Sequence, residues 1–196
     1  MILYLHGFTS GPQSAKSQAL RERMAARGMA DQFSCPQLPA APADAIALAE
    51  DIIAEHLGRG DMKCPAWGTP ALVGSSLGGY YATYLAEKHG LKAVLVNPAV
   101  AGSVDVAQFV GPQRFLYTGE AFDFTLDHVE QLKALDVPKP TRPERYWLLV
   151  ETGDEVLDYR AAVARHAAAK QTVLPGGDHS FTRWTDYLDD VIGFCQ

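Results

Sequence analysis

The chain has 196 residues, of which 47% are hydrophobic and 20% charged, and its formal net charge is −6. A chain of this length can bury one core without disulfides or metals, so we expect a single domain over residues 1–196. Its lysines and arginines are scattered rather than clustered, which argues against nucleic acid as a partner.

The N-terminus and the cysteines both favour a cytoplasmic protein. The apolar run that begins at Ile2 stops at His6 and has no basic flank, so it is too short for a signal peptide or a membrane span. Cys35, Cys64 and Cys195 are odd in number and show no CxxC spacing. We therefore expect reduced thiols, no disulfide framework, no zinc site and no membrane partner.

Taken in chain order, short apolar runs alternate with segments of helical periodicity. The predicted strands cover residues 2–5, 33–38, 71–73, 93–96, 146–150 and 172–174. The predicted helices cover residues 14–27, 43–57, 77–89, 156–169 and 184–194. Continuously apolar strands separated by helices are typical of a parallel sheet covered on both faces. The sequence therefore predicts an α/β fold with a mostly parallel sheet.

Residues 101–145 interrupt this alternation and are predicted to form a lid-like insertion over the carboxyl edge of the sheet. They contain no convincing strand, one stretch of helical periodicity from Leu126 to Leu135, and a proline-rich exit. An insertion of this length without regular alternation is typical of a lid. An ordinary extra helix packed on the sheet is the alternative.

Two adjacent serines, Ser75 and Ser76, stand between a predicted strand and a predicted helix. A nucleophile elbow, G-x-S-x-G, needs small residues two positions before and two positions after its serine. Ser76 has Gly74 and Gly78 at these positions, whereas Ser75 has a valine and a leucine. A phosphate-binding loop is disfavoured because Tyr80 stands where a P-loop needs lysine. Ser76 is therefore the predicted nucleophile, and a plain turn at a helix start is the alternative.

A serine hydroxyl needs a histidine base to become a nucleophile, and in this motif the base comes last in the chain. His179 lies in the segment PGGDHSF directly after the final predicted strand, where a loop can carry its ring back over the sheet edge. His166 falls inside a predicted helix, and His6 is expected to be structural. His179 is the predicted base.

The acid that orients the histidine is expected just after the preceding strand. Asp154, in the segment ETGDEV, follows the strand predicted over 146–150 and is the best match. A helix N-cap role is the alternative for Asp154, since aspartate is favoured there. The other carboxylates of the region are less well placed, on the strand, at the helix start or next to the base: Glu151, Glu155, Asp158 and Asp178.

Two backbone N–H groups are the predicted oxyanion hole. One belongs to Leu77, which follows the nucleophile, and the other to Phe8, in the loop after the first strand. Gly7 would allow this loop to approach the reacting atoms closely.

Four segments together give the chain a family resemblance. LYLHGFTSGPQSAKSQAL, VGSSLGGYYATYLAEKHGLKAVLVNPAV, ETGDEVLDYRAAV and QTVLPGGDHSF resemble the YqiA-type esterases of the α/β-hydrolase superfamily, in order and spacing. The resemblance implies a small α/β-hydrolase fold with Ser76, Asp154 and His179 as its triad. It also implies hydrolysis of carboxylic esters, including acyl thioesters of coenzyme A. The likeness is weakest between Gly102 and Pro143.

The sequence thus predicts a serine esterase or thioesterase that acts on a small acyl ester and needs no metal or organic cofactor. A peptidase or lactonase with the same triad is one alternative, because a triad fixes chemistry and not substrate. A non-catalytic protein that binds a ligand in the same pocket is another. The aromatic residues of the insertion either line an acyl pocket or form the insertion's own core: Phe109, Phe115, Tyr117, Phe122 and Phe124.

Overall fold

The computed structural model describes residues 1–58, 68–103 and 105–196, and its centre is a six-stranded sheet. The strands are β1 (Ile2–Leu5), β2 (Phe33–Ser34), β3 (Ala71–Ser75), β4 (Lys92–Val96), β5 (Gly111–Arg114), β6 (Ala121–Phe124), β7 (Tyr146–Glu151) and β8 (Lys170–Leu174). Strands β2-β1-β3-β4-β7-β8 lie side by side in this order, and every pairing is parallel. The predicted parallel sheet is confirmed.

Helices cover both faces of this sheet. They are α1 (Ala15–Ala26), α2 (Pro42–Gly58), α3 (Leu77–His89), α4 (Leu126–Ala134), α5 (Tyr159–Arg165) and α6 (Leu188–Cys195). Alternate strand residues point to opposite faces, so Tyr4 and Trp147 pack with α1 and α6, whereas Leu5 and Leu148 pack with α2, α3, α4 and α5. Burial on both faces explains why the strands read as continuous apolar runs.

Three predicted elements have different bounds in the structure. The strand predicted over 33–38 contains only Phe33–Ser34, because Pro36 has no N–H to donate to a neighbouring strand. The helix predicted over 156–169 is shortened to α5, since the residues before it form a loop. The last helix begins with a 3₁₀ turn, Trp184–Tyr187, before α6.

The insertion contains a β-hairpin, so the expectation of no strand between residues 101 and 145 is wrong. Strands β5 and β6 pair antiparallel as a separate two-stranded sheet, and α4 follows them as predicted. Phe124 is buried and Phe122 half-buried, while Asp123 between them is exposed. This alternation with a period of two was the available signal for β6.

Cys35 and Cys195 are free thiols, and Cys64 lies outside the described residues. Burial raises the pKa of Cys35 to about 11 and that of Cys195 to about 12, which keeps both thiols protonated. None of the helices in the described ranges combines the length and apolar character that crossing a membrane requires.

Candidate active site

Ser76 occupies a sharp turn between β3 and α3, at the carboxyl edge of the sheet. Its backbone angles are φ 56° and ψ −120°, a region that residues with side chains rarely adopt. Ser76 N–H donates to the Val96 carbonyl at 3.0 Å, and the Ser76 carbonyl accepts from Ala99 N–H at 3.0 Å. Neighbouring strands and loops therefore hold a strained serine in place, a feature that concentrates at functional sites.

Glycines on both sides of Ser76 make this turn possible. A Cβ atom at Gly74 would overlap the Gly78 carbonyl, and a Cβ atom at Gly78 would overlap the Leu5 carbonyl on β1. These neighbours are backbone atoms and cannot rotate away. The need for small residues at both positions, expected from the sequence, thus has a direct steric cause.

The two adjacent serines have different surroundings. Ser75 ends β3, is 5% exposed, and its side chain lies near that of Tyr4. The hydroxyl oxygen of Ser76 lies 3.0 Å from His179 Nε2. The structure therefore brings Ser76, rather than Ser75, to the predicted base.

His179 is also bound to the predicted acid, Asp154. The distance between His179 Nδ1 and Asp154 Oδ2 is 2.8 Å. An ionised carboxylate can only accept, so Nδ1 carries the proton and Nε2 is left as the acceptor for the Ser76 hydroxyl. The three predicted residues thus form one hydrogen-bonded chain in the arrangement that serine activation requires.

Asp154 is stabilised as a carboxylate. Its side chain is 2% exposed, and burial alone would raise its pKa. Hydrogen bonds from His179 and from the N–H groups of Leu157 and Val156 outweigh burial and lower the pKa of Asp154 below its usual value. The N-cap of α5 is Asp158, so the alternative role of Asp154 as a helix cap is wrong.

The other carboxylates near the site have different roles. Glu155 accepts the backbone N–H of His179 at 3.0 Å, and Asp158 pairs with Arg160 on the surface. One oxygen of Asp178 is buried without a hydrogen-bond partner in the described part of the chain. Within the described residues, none of these three carboxylates hydrogen-bonds to the His179 ring.

His6 and His166 are buried in separate surroundings. His6 Nε2 accepts the Leu38 N–H at 3.0 Å, so the proton sits on Nδ1, which donates to the Gly7 carbonyl. Burial lowers the pKa of His6, and it lowers that of His166 to about 4. Both rings are therefore neutral, and His6 joins the loop after β1 to the segment at Leu38, a structural role.

A buried network that was not predicted from the sequence holds residues 175–183, which we call the His179 loop. The Glu151 carboxylate is 0% exposed and accepts from Asp178 N–H at 2.9 Å and from Arg183 Nε at 2.7 Å. The Asn97 amide donates to the carbonyls of Asp178 and His179 at 3.0 and 3.2 Å, and its oxygen accepts from Glu151 N–H. The ends of β4 and β7 thus fix the position of the imidazole. The available signal was a polar residue at the end of each strand.

The loop after β1 approaches Ser76 closely, as an oxyanion hole requires. A Cβ atom on Gly7 would lie 3.3 Å from Ser76 Cβ. Leu77 begins α3, so its N–H has no acceptor within the helix. In the described ranges, neither Leu77 N–H nor Phe8 N–H donates to another protein group. This geometry supports the prediction that both N–H groups can bind an oxygen beside Ser76.

A cavity of about 410 Å³ opens beside Ser76 and His179. Its lining is mainly apolar and comes from the loop after β1, from the start of α3 and from the insertion. A volume of this order, with few polar groups around the reacting atoms, suits a small-molecule site. No group of three or more His, Cys, Asp or Glu side chains among the described residues is arranged to hold a metal ion.

The aromatic residues of the insertion divide between the two roles considered for them. Phe109 and Phe124 line the cavity, whereas Phe115 and Phe122 pack against each other with ring centroids 4.6 Å apart. Tyr117 is 47% exposed. Some of these rings therefore shape the cavity wall, and others form the core of the hairpin.

The fold and the position of Ser76 define an α/β-hydrolase architecture, which solved structures share over nearly the whole chain. Est1E from Butyrivibrio proteoclasticus is 15% identical with a TM-score of 0.69, and the match covers 97% of this chain and 86% of that one. Mouse alpha/beta hydrolase domain-containing protein 10 is 19% identical with a TM-score of 0.66 (98% and 89% covered). The monoacylglycerol lipase of Paleococcus ferrophilus is 13% identical with a TM-score of 0.69 (99% and 93% covered). The predicted fold is confirmed.

The family follows from the sequence as a whole. The model of the uncharacterised protein family UPF0227, the YqiA family, matches residues 1–196. The chain therefore belongs to this family, as the four quoted segments indicated.

Proposed function

We propose that this protein is a serine esterase that hydrolyses small acyl esters, and acyl thioesters, through an acyl-enzyme intermediate. The observation that carries the proposal is the hydrogen-bonded chain from Ser76 through His179 to Asp154, with distances of 3.0 and 2.8 Å. The adjoining apolar cavity supports an acyl substrate. The structural similarity to a monoacylglycerol lipase and to Est1E supports ester chemistry on this fold.

In the proposed reaction, Ser76 Oγ attacks the acyl carbon while His179 Nε2 takes the hydroxyl proton. The carbonyl oxygen becomes negative and accepts the N–H groups of Phe8 and Leu77. His179 then returns the proton to the leaving alcohol or thiol, and the bond from the carbonyl carbon to the leaving atom breaks. Water repeats the sequence on the acyl-serine, with His179 as base, and releases the acid and free Ser76.

Asp154 has two roles in this proposal. Its hydrogen bond fixes the imidazole tautomer, so that Nε2 is free to accept the serine proton. Its carboxylate also stabilises the imidazolium that forms during attack, because opposite charges attract strongly in a poorly hydrated site.

The test is hydrolysis of p-nitrophenyl esters from acetate to palmitate, and of acyl-coenzyme A thioesters, by the wild type and by Ser76→Ala. We expect turnover by the wild type and a loss on the order of 10⁴-fold or more in kcat for the variant. The dependence on chain length then reports the size of the acyl pocket, and the ratio of ester to thioester rates reports the leaving group.

Ser75→Ala is the matched control, since it removes the neighbouring hydroxyl from β3. This variant should keep its activity within a few-fold of the wild type. Residual activity of Ser76→Ala at the wild-type level would exclude Ser76 as the nucleophile. If the wild type hydrolyses none of the esters but cleaves peptides or lactones, the peptidase or lactonase alternative is favoured. If it hydrolyses none of them and retains an intact ligand, the non-catalytic binding protein is favoured.

A further inference from the structure

The cavity beside Ser76 contains one lysine in mainly apolar surroundings. Lys16 lines it together with the hydroxyl side chains of Ser10, Ser14 and Ser180, and no Asp, Glu or Arg does so among the described residues. The chain as a whole has 23 acidic and 17 basic residues. The cavity thus carries a positive charge and no carboxylate although the chain as a whole is acidic.

The ammonium group of Lys16 has donors to spare. Lys16 stands in the first turn of α1, and its Nζ donates to the Ser180 carbonyl at 2.6 Å. An ammonium has three N–H donors. In the described part of the chain this one forms no ion pair, so two donors remain for a ligand in the cavity.

The carboxylates nearest to Lys16 do not form an ion pair with its ammonium group. Burial lowers the pKa of Lys16, and Asp178, Glu151 and Asp154 partly oppose this effect from a distance. Glu151 already pairs with Arg183, Asp154 is hydrogen-bonded to His179 and to two backbone N–H groups, and none of the three carboxylates lines the cavity. An ammonium that has lost part of its water gains more from an anionic partner than an exposed one does.

Ser14 supplies a second polar group on the same wall. Its hydroxyl is buried and has no hydrogen-bond partner among the described residues, although it lines the cavity and stands directly before α1. A buried hydroxyl without a partner is costly, so such groups are usually satisfied by water or a ligand. An oxygen atom held by Lys16 could also accept this hydroxyl.

The position of Lys16, beside the His179 loop, places it on the side of the cavity that suits the leaving group of the substrate. His179 must deliver its proton to the leaving oxygen or sulfur, and Lys16 binds the residue next to it, Ser180. The apolar wall formed by Phe109, Phe124 and Leu132 belongs to the insertion instead. The apolar wall suits the acyl chain, and the Lys16 wall suits the leaving group.

We propose that Lys16, assisted by Ser14, binds an anionic group on the leaving half of the substrate, a carboxylate or a phosphate. The preferred substrates are then acyl esters or thioesters of negatively charged alcohols or thiols. This inference rests on the proposed esterase function and adds a substrate class to it.

The test compares 3-carboxyphenyl butyrate and 3-(phosphonooxy)phenyl butyrate with the neutral 3-carbamoylphenyl butyrate. Lys16→Gln keeps a donor for Ser180 but removes the charge, and Lys16→Arg keeps the charge. We expect Lys16→Gln to lower kcat/KM for at least one anionic ester about 10- to 100-fold relative to the neutral ester, mainly through KM. Lys16→Arg should retain most of the preference, and the more affected ester identifies the anion.

Lys92→Gln is the matched control, because it removes one positive charge at the opposite edge of the sheet and should leave the ratio unchanged. An equal loss on anionic and neutral esters in Lys16→Gln would overturn the proposal and leave Lys16 as a tether for the His179 loop. Absence of any Ser76-dependent hydrolysis by the wild type would instead refute the esterase function. The two failures are therefore distinguishable.

Discussion

The two edges of the sheet each carry a cavity, and the two cavities are similar in size. The cavity beside Ser76, at the carboxyl edge, measures about 410 Å³, and a cavity at the amino edge, beside Met24, Met29 and Lys92, measures about 440 Å³. Volume alone does not distinguish them. In the described ranges, the four non-glycine residues with positive φ lie in loops at the carboxyl edge: Thr9, Ser76, Asn97 and Phe181.

Strain and buried charge, rather than space, therefore mark the candidate active site. Each strained residue costs on the order of 1–3 kcal/mol and persists only where its surroundings fix it. At the carboxyl edge those surroundings include the buried Glu151 carboxylate and the Asn97 amide. The amino edge lacks this combination among the described residues, so we expect it to tolerate substitution.

Apart from loss of the nucleophile itself, the largest expected effect at the carboxyl edge comes from Asp154→Asn. The amide oxygen can still accept from Val156 and Leu157, but the amide nitrogen would donate to His179 Nδ1. That contact favours the tautomer with a proton on Nε2, which cannot accept the Ser76 proton. We expect kcat for ester hydrolysis to fall on the order of 10⁴-fold with the fold retained, as measured by steady-state kinetics and circular dichroism.

Asp158→Asn is the control for this change. Asp158 lies four residues after Asp154 in the same segment, caps α5 and pairs with Arg160. Its activity should stay near that of the wild type. Comparable losses in both variants would mean that the segment after β7 acts as a whole and that Asp154 has no special role.

A smaller effect is expected from Glu151→Gln, which tests the network behind His179. Asp178 N–H and Arg183 bind different oxygens of the carboxylate, and the amide keeps only one of these oxygens, so one donor loses its acceptor and the guanidinium loses its countercharge. Arg183 is 35% exposed, which limits the penalty to about 2–3 kcal/mol of unfolding free energy in urea denaturation. We also expect kcat to fall, because the imidazole is less well positioned.

For comparison, Asp189→Asn removes a surface carboxylate that pairs with Arg23 and Arg27. Asp189 is 54% exposed, and the two arginines are 44% and 37% exposed. Exposed pairs contribute about 0–1 kcal/mol, so this variant should be nearly as stable and as active as the wild type. A cost for Glu151→Gln no larger than that for Asp189→Asn would contradict the role given to the buried network.

The sequence predicted well those features that depend on local pattern. Continuous apolar runs predicted five strands of the main sheet, whereas β2 was predicted over residues 33–38 and contains only Phe33–Ser34. The glycines around Ser76 distinguished it from Ser75 because the elbow motif is a local pattern. Ser76, Asp154 and His179 meet because each follows a strand of the parallel sheet, and the carboxyl ends of parallel strands lie at one edge.

Features that depend on distant contacts were not predictable in this way. Glu151 and Arg183 are separated by 32 positions, and Asn97 binds residues more than 80 positions away. Nothing local in the sequence assigns these pairs. Likewise, α5 starts late because the Asp154 carboxylate binds the N–H of Val156 and Leu157 and holds that segment as a loop, a competition that helical periodicity cannot show.

The smallest expected effect is at the amino edge, in Gly193→Ala. Gly193 is an exposed residue of α6, and a Cβ atom there would meet no atom within 4 Å, in contrast to Gly78 at the carboxyl edge. Alanine restricts the unfolded chain and favours the helix, so we expect about 0.5–1 kcal/mol of added stability. For a chain of this size the melting temperature should rise by about 1–4 °C, with ester hydrolysis unchanged. Gly193→Ser should give a smaller rise, because serine has a lower helix propensity than alanine. A lower melting temperature for Gly193→Ala would show that the amino edge is as constrained as the edge that holds Ser76.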